Sequence, residues 1–339
     1  MIAMSGGVDS SVAAYLMQQQ GYDCIGGTML LCDIPAGRDA KAVADRLGIP
    51  FYEYDARDLF RTQVMDDFVN VYAQGGTPNP CVVCNKTMKF GYLLDRAIEA
   101  GCSHIVTGHY ARIRECNGRY ILQKAPDENK DQSYFLAGLT QQQLAHILFP
   151  LGELTKAQVR QLAEEQGFIN AGKKDSQDIC FVPDGNYFKF IEQHTGKTFP
   201  YGAFLDAAGN RVGTHKGAMA YTLGQRKGLG LAMGSPVYVT GKDMLNNTVT
   251  VGPESLLFTT TLVAENLNWM PFPDLTEPMK ITAKARSRHK AQPATIYPEG
   301  GRVRVVFDEP QRALTPGQAV VFYEDDLVVG SGTITDVIY

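Results

Sequence analysis

The sequence predicts an α/β protein: a parallel-sheet domain, then a small β-rich central domain, then a C-terminal β barrel. Three observations point there. Helix and strand signals alternate through the first half, the rhythm of a parallel sheet covered by helices on both faces. After about Gly196 the chain turns to short alternating stretches with turn signals between them. From about Leu256 to Tyr339 several more short strands follow, which suits a small β barrel or sandwich. A length of 339 residues accommodates two or three domains, and the expected division is 1–195, 196–253 and 254–339.

The elements follow in order. Ile2-Ala3-Met4 is a short apolar lead-in. Ser10 to Gln20 carries Val12, Ala13, Leu16 and Met17 on one helical face, and Gly21 stops it. Cys24 to Leu31 is an apolar run of strand length. Asp39 to Leu47 reads as a helix ended by Gly48, and Phe51 to Tyr54 as a short strand. Lys86 to Glu99 is amphipathic through Phe90, Leu93, Leu94, Ala97 and Ile98, with Gly101 after it, and His104 to Thr107 is a buried strand. Thr155 and Gln158 fit a capping box for a helix to Gln166, with Gly167 beyond. Tyr187 to Gln193 is the last helix. Turns are expected at Asp206–Asn210 and Met244–Asn247, and strands at Lys280–Arg288, Arg302–Phe307, Ala319–Tyr323 and Thr333–Ile338.

Composition excludes several classes. With 44% hydrophobic and 20% charged residues, the chain is neither disordered nor a fibrous repeat. The balance of 32 Lys+Arg against 36 Asp+Glu argues, taken alone, against a nucleic-acid partner. The uncharged stretch Gln132–Gly152 is rich in Gln, Ser and Thr and makes a poor membrane span. No signal peptide is visible, so a cytoplasmic location without a membrane partner is expected. Seven cysteines are too few and too odd in number for a secreted disulfide scaffold, and reduced thiols are expected.

Ser5-Gly6-Gly7-Val8-Asp9-Ser10 lies between the apolar lead-in and the first helix. Glycines let the backbone approach a ligand closely, and the helix start offers unpaired N–H groups to a pyrophosphate. The bland reading is an ordinary helix N-cap, but a loop this long with a serine at each end favours phosphate. It is not a Walker loop, because the Gly-Lys-Ser/Thr ending is missing. These residues resemble the PP-loop of the ATP pyrophosphatases, a superfamily that splits ATP between the α and β phosphates and adenylates a substrate oxygen. Only three residues precede Met4-Ser-Gly-Gly, so either the first strand is short or the start is trimmed.

Thr77-Pro-Asn-Pro-Cys-Val-Val-Cys-Asn-Lys86 is the second informative stretch. Its prolines stiffen the loop, and Cys84 is expected just before a helix, where the dipole and Lys86 and Lys89 favour thiolate. A zinc half-site, a thioredoxin-type pair and two small buried residues are the competing readings. In the third stretch, Lys173–Phe181, Cys180 between Ile179 and Phe181 reads by itself as a core residue, and the Pro-Asn-Pro-Cys loop in the same chain makes it a catalytic candidate.

The phosphate loop, Thr77–Lys86, Thr107-Gly-His-Tyr110, Lys130-Asp-Gln-Ser-Tyr134, Asp175–Phe181 and Tyr221–Gly230 occur in order. With Phe307-Asp-Glu-Pro310 and Thr315-Pro-Gly-Gln318, they resemble the tRNA-specific 2-thiouridylase family over nearly the whole chain. The resemblance implies ATP, expected with Mg²⁺, on Ala3, Met4, Ser5, Gly6, Gly7, Val8, Asp9, Ser10, Met29 and Gly108. It implies a persulfide on Cys180, a resolving nucleophile at Cys84, and a Cys84–Cys180 disulfide left after each 2-thiolation of a wobble uridine. Partners implied are the tRNAs for Lys, Glu and Gln, and a sulfur donor such as a cysteine desulfurase or relay protein. tRNA contacts fall on Asn79, Pro80, Cys81, Lys130, Asp131, Gln132, Arg286 and Ser287.

Two departures stand out. Many members carry Asp, assigned acid/base work, where this chain has Cys81; a thiol does not simply inherit that work, so Cys81 is a candidate assisting residue only. Cys81, Cys84 and Cys180 are also the natural ligands for an alternative [4Fe-4S] cluster that would deliver the sulfur. The segment after Met29 also lacks the family's Lys-Asn-Trp.

A tRNA substrate needs positive charge somewhere. Lys280, Lys284, Arg286, Arg288 and Lys290 fall on even positions with Ile281, Ala283 and Ala285 between them, so one strand face would be basic. Arg226 and Lys227 form a second patch. Two rivals remain: a small-molecule synthetase with the same loop, and a non-catalytic tRNA-binding iron–sulfur protein.

Overall fold

Parallel strands demand crossover helices, and the first domain is built that way. In the computed structural model, which describes residues 1–32, 37–173 and 178–339, β1 (Ile2–Ala3) leads into α1 (Val8–Gln19). β2 (Gly26–Leu30) leads into α2 (Gly37–Leu47), and β3 (Phe51–Asp55) into a helical run over 57–73. β4 (Ile105–Val106) precedes a hairpin of β5 (Ala111–Cys116) and β6 (Arg119–Lys124), and β7 (Ile147–Leu148) completes the sheet. The strand order is β3-β2-β1-β4-β7, all parallel. The order reverses between β1 and β4, where open α/β sheets bind ligands at their carboxyl ends.

Small residues let the helices sit close. α1 buries Val12, Ala13, Ala14 and Met17, and α2 buries Ala40, Val43 and Ala44 in the same core. The helix Lys156–Glu165 begins with the expected capping box: Thr155 accepts from the Gln158 N–H, and the Gln158 side chain accepts from the Thr155 N–H.

The central domain is a four-stranded sheet of β8 (Gly202–Leu205), β9 (Arg211–His215), β10 (Tyr238–Asp243) and β11 (Thr248–Gly252), ordered β10-β11-β8-β9. Both expected turns are present. Asp206 accepts from the N–H groups of Ala208 and Asn210, and Asp243 from those of Leu245 and Asn246. Short polar side chains closing their own turns are the reason these residues are favoured there.

The barrel comprises β12 (Phe258–Trp269), β13 (Met279–Lys284), β14 (Gln292–Pro298), β15 (Val303–Arg312), β16 (Ala319–Glu324) and β17 (Leu327–Ile338). Each pairs antiparallel with its neighbours, and β12 returns to β17, which closes the barrel and removes its edges. The β5–β6 hairpin from the first domain docks on β17, with Leu327 opposite Gln123. One apolar core crosses between the segments: Phe90, Leu94, Tyr134 and Leu136 pack with Met270, Val321, Tyr323 and Val328.

Two expectations change. The basic strand ends at Lys284, and Arg286, Arg288 and Lys290 lie in the connection to β14. The alternation therefore places only Lys280 and Lys284 on one face, because the chain turns at Ser287–Arg288 instead of continuing. The helix carrying Cys84 starts at Pro80, well before Lys86. It runs as Pro80–Cys84, a π-helical segment Asn85–Tyr92, and Leu93–Glu99. Pro80 takes the first helical position, where its missing N–H costs nothing. Cys84 is thus inside the helix, not before it.

Candidate active site

The phosphate loop sits at the carboxyl end of β1. Gly6 has φ +73, a conformation glycine adopts without strain. Gly7 precedes α1 and offers no side-chain cap, so the first N–H groups of the helix stay open to a ligand. The hydroxyls fold inward: Ser10 and Ser11 each donate to the Gly7 carbonyl at 3.0 Å, and the Ser5 N–H donates to Ser10 Oγ at 3.3 Å. Gly108, just past β4, meets this loop directly. A Cβ there would lie 2.6 Å from the Asp9 carbonyl carbon and 2.8 Å from the Ser10 nitrogen, so only glycine fits.

Four residues to which the sequence motifs gave no such role hold the loop. Lys156 Nζ donates to both Asp9 oxygens, at 2.7 and 2.8 Å, and the Tyr110 hydroxyl donates to Asp9 Oδ1 at 2.7 Å. Asn170 Nδ2 donates to the Gly6 carbonyl and to Ser11 Oγ, and Lys173 Nζ donates to the Gly6 carbonyl and Asp39. Lys156 carried a readable signal. A cation in the first turn of a helix opposes the helix dipole, so a nearby anion must hold it. Asn170 carried none.

The thiols lie beside the same edge of the sheet. Met29, near the end of β2, packs against the cluster that includes Val83, Cys84, Met88, Ile179 and Phe181. Phe181 is anchored by Phe60, Phe68 and Phe190, with ring centroids 5.0 to 5.7 Å away. That anchor leaves Cys180 with exposed surface. Asp175–Gln177 of the same motif fall outside the described residues.

The thiols act on one another electrostatically. Burial pushes Cys180 up to about 12, and Cys84, Cys32 and Cys81 add to the rise, while Lys89 opposes it. Burial also raises Cys84 and Cys81, with Lys89 the opposing cation for each. The expected low thiol pKa at Cys84 is therefore overturned: the helix begins back at Pro80, and burial outweighs the charge. Among the described residues, no group of three or more His, Cys, Asp or Glu side chains is placed to hold a metal ion, so the cysteines as arranged form no cluster cradle.

The loop that precedes Cys81 is clamped by the barrel. Gln318 Nε2 donates to the carbonyls of Thr77 and Pro78 at 2.9 and 3.0 Å, and the Thr77 N–H donates to the Pro316 carbonyl at 2.9 Å. Asn79 Nδ2 donates to the Tyr134 hydroxyl at 3.4 Å. Several expected RNA contacts serve the chain itself. Asp131 accepts from Ala125 and Ser133, Gln132 Oε1 accepts from the Tyr110 N–H, and Arg286 donates to the Ala313 carbonyl and Thr315 Oγ1. Arg226, Lys227, Lys280, Arg288 and Lys290 are exposed or half-exposed. No helix among the described residues is long and apolar enough to cross a membrane.

A phosphate loop at the switch point of a parallel sheet, with thiols at the same edge, defines a nucleotide-binding α/β protein equipped for sulfur chemistry. Comparison with known proteins narrows the class. The signature described as "tRNA methyl transferase HUP domain" matches residues 1–184, the corresponding PRC-barrel domain matches 188–253, and an aminomethyltransferase β-barrel domain matches 259–334. tRNA-specific 2-thiouridylase MnmA of Clostridium perfringens (strain 13 / Type A) is 49% identical, covering 98% of this chain and 97% of that protein. The protein of the same name from Clostridium acetobutylicum is 48% identical, covering 98% of each. A solved 4-thiouridine synthetase–RNA complex with bound ATP is 14% identical with a TM-score of 0.37, over 57% of this chain and 50% of that one, a likeness too distant to build on. This chain belongs to the tRNA-specific 2-thiouridylase family.

Proposed function

We propose that this protein is an ATP-dependent tRNA-uridine 2-sulfurtransferase that makes 2-thiouridine at the wobble position. Membership of the family supports the reaction, and one observation ties it to these residues: Met29 links the end of the phosphate-loop sheet to the cluster holding Cys84 and Phe181.

ATP, with Mg²⁺, occupies the loop Ala3–Ser10 between Met29 and Gly108. The uracil O2 attacks the α phosphorus, the bond to the β phosphate breaks, and pyrophosphate leaves. This step is needed because an amide-like carbonyl oxygen is a poor leaving group until it is adenylated. A persulfide donor loads Cys180, whose outer sulfur attacks C2, and AMP departs with the C2–O electron pair. Cys84 loses its proton to water and attacks Cys180 Sγ. The bond between Cys180 and the transferred sulfur breaks, sulfur stays on C2, and a Cys84–Cys180 disulfide remains for a dithiol reductant to reopen.

The division into 1–195, 196–253 and 254–339 is part of this proposal. Lys280, Arg288 and Lys290 supply phosphate contacts, with Arg286 and Ser287 shaping the turn between them, and Arg226 and Lys227 supply a second patch. Asn79, Pro80 and Cys81 sit beside the target base, which must leave its stack to be reached. Lys130, Asp131 and Gln132 form a loop against the same RNA.

The test is sulfur incorporation by a Cys180→Ser variant beside the unaltered protein, with ATP, unmodified tRNA and a persulfide donor. The variant is expected to release pyrophosphate and bind tRNA but make no 2-thiouridine by nucleoside mass spectrometry. Full product from the variant would remove Cys180 from the mechanism. Iron analysis of anaerobically purified protein belongs in the same experiment, since stoichiometric iron on these cysteines would replace the persulfide route.

A further inference from the structure

Lys89 is the cation that recurs around the three thiols, and its position is fixed from two sides. The first is the helix. The segment Asn85–Tyr92 is π-helical, with bonds from i to i+5, which brings residue 89 back into line with residue 84. Cys81 and Cys84 are three apart in the α-helical turn before it, and so share a face. The second is a buried histidine. Lys89 Nζ lies 3.5 Å from His109 Nε2, and His109 Nδ1 lies 2.7 Å from Thr107 Oγ1. Phe90 and Phe149 flank the His109 ring, at 5.8 Å each.

Burial, and then the Lys89 charge, hold His109 well below the usual imidazole range, so it is neutral. The ammonium can only donate, so Nε2 accepts and the ring proton is on Nδ1, donated to the Thr107 hydroxyl. The Thr107–His109 pair is therefore a preset acceptor for Lys89, built from the Thr107–Tyr110 motif. The groups acting on Cys180 are Cys84, Cys32, Cys81 and Lys89, and those on Cys84 are Lys89 and Cys81. Among them Lys89 alone is positive.

We propose that Lys89, seated on neutral His109, is a positioning residue for sulfur transfer, stabilising the sulfur anions of Cys84 and Cys180 against the desolvation their burial imposes. The inference rests on the proposed sulfurtransferase reading for its purpose, though not for its electrostatics. It gives the π-helical segment a role, because without the extra residue per turn Lys89 would point away from Cys84. It also explains how thiols raised by burial remain usable, since the anion forms beside a fixed positive charge.

The experiment measures alkylation of each cysteine by iodoacetamide against pH, read by peptide mass spectrometry, in full-length protein with and without Lys89→Met and Lys89→Arg. Lys89→Met is expected to move the Cys84 and Cys180 midpoints up by about one pH unit, slowing alkylation about tenfold at mildly alkaline pH. Lys89→Arg keeps the charge and restores the rate to within about threefold, and Cys24 and Cys116 do not change. A merely structural role would show no rescue by charge. If Lys89→Met loses its cooperative melt, Lys89→Gln carries the same comparison. Equal midpoints at Cys84 and Cys180 in protein with and without the lysine would overturn the proposal. 2-Thiouridine formation by the unaltered protein is assayed in parallel, so failure of the function and failure of the Lys89 proposal are separate results.

Discussion

At the residue scale, the site is governed by what cannot be larger and what cannot be moved. Gly108 is the clearest case. Its missing Cβ is what lets the end of β4 lie against the Asp9–Ser10 backbone. Gly108→Ala must push the phosphate loop away, which is expected to cost about 1–3 kcal/mol of stability and to weaken ATP binding with little effect on tRNA affinity. Denaturant unfolding and ATP titration check both parts, and an unchanged ATP affinity would separate Gly108 from the loop's function. Asp9 shows the other kind of constraint. Its carboxylate is held by Lys156 and Tyr110, which ties the start of α1 to the rest of the domain.

At the scale of elements, what the sequence made legible was what local chemistry decides. The capping box at Thr155 and Gln158, and the turns closed by Asp206 and Asp243, were readable because the residue and its hydrogen bond lie within four positions of each other. The helical run over 57–73 is poorly legible, although Phe60, Val64 and Phe68 have helical spacing. It starts after Ala56 with no side-chain cap, and contains a π-helical segment, Arg61–Met65, that breaks the period. The π-helical segment at Asn85–Tyr92 was hidden in the same way. The basic alternation through Lys290 misled because alternation describes a strand only while the strand continues. The phosphate loop and the cysteine motifs are legible as motifs, whereas Asn170 acts across 164 positions and is visible only in the fold, and Lys156, acting across 147, leaves only its unfavourable place in a first helical turn as a signal. Thr155→Ala is expected to cost about 1 kcal/mol. Because the next residue, Lys156, grips Asp9, ATP affinity should fall as well, and thermal melts with and without ATP measure the two effects.

At the scale of the molecule, the barrel and the catalytic domain work as one body. They share the core around Tyr134, Leu136, Val321 and Tyr323, and Gln318 grips the loop that leads into the helix of Cys81 and Cys84. The net charge of -4 does not describe every surface, because Arg288 and Lys290 are exposed on the barrel connection and Arg226 and Lys227 on a turn of the central domain. Replacing Arg288 or Lys290 by Ala should weaken tRNA binding at low salt and reduce the slope of log K against log[salt] by about 1 for each lost phosphate contact. A slope that does not change would place the RNA on another surface. If the phosphate loop and the Cys84–Cys180 pair complete one reaction at one sheet edge, their products must appear together. A single turnover of protein carrying persulfide sulfur, with unmodified tRNA and ATP, puts this to the proof. 2-Thiouridine, AMP and pyrophosphate are expected in equal amounts, with a Cys84–Cys180 disulfide that rises with them. 2-Thiouridine formed without AMP release, or with both cysteines still reduced, would mean that the loop and the thiols do not act in one reaction.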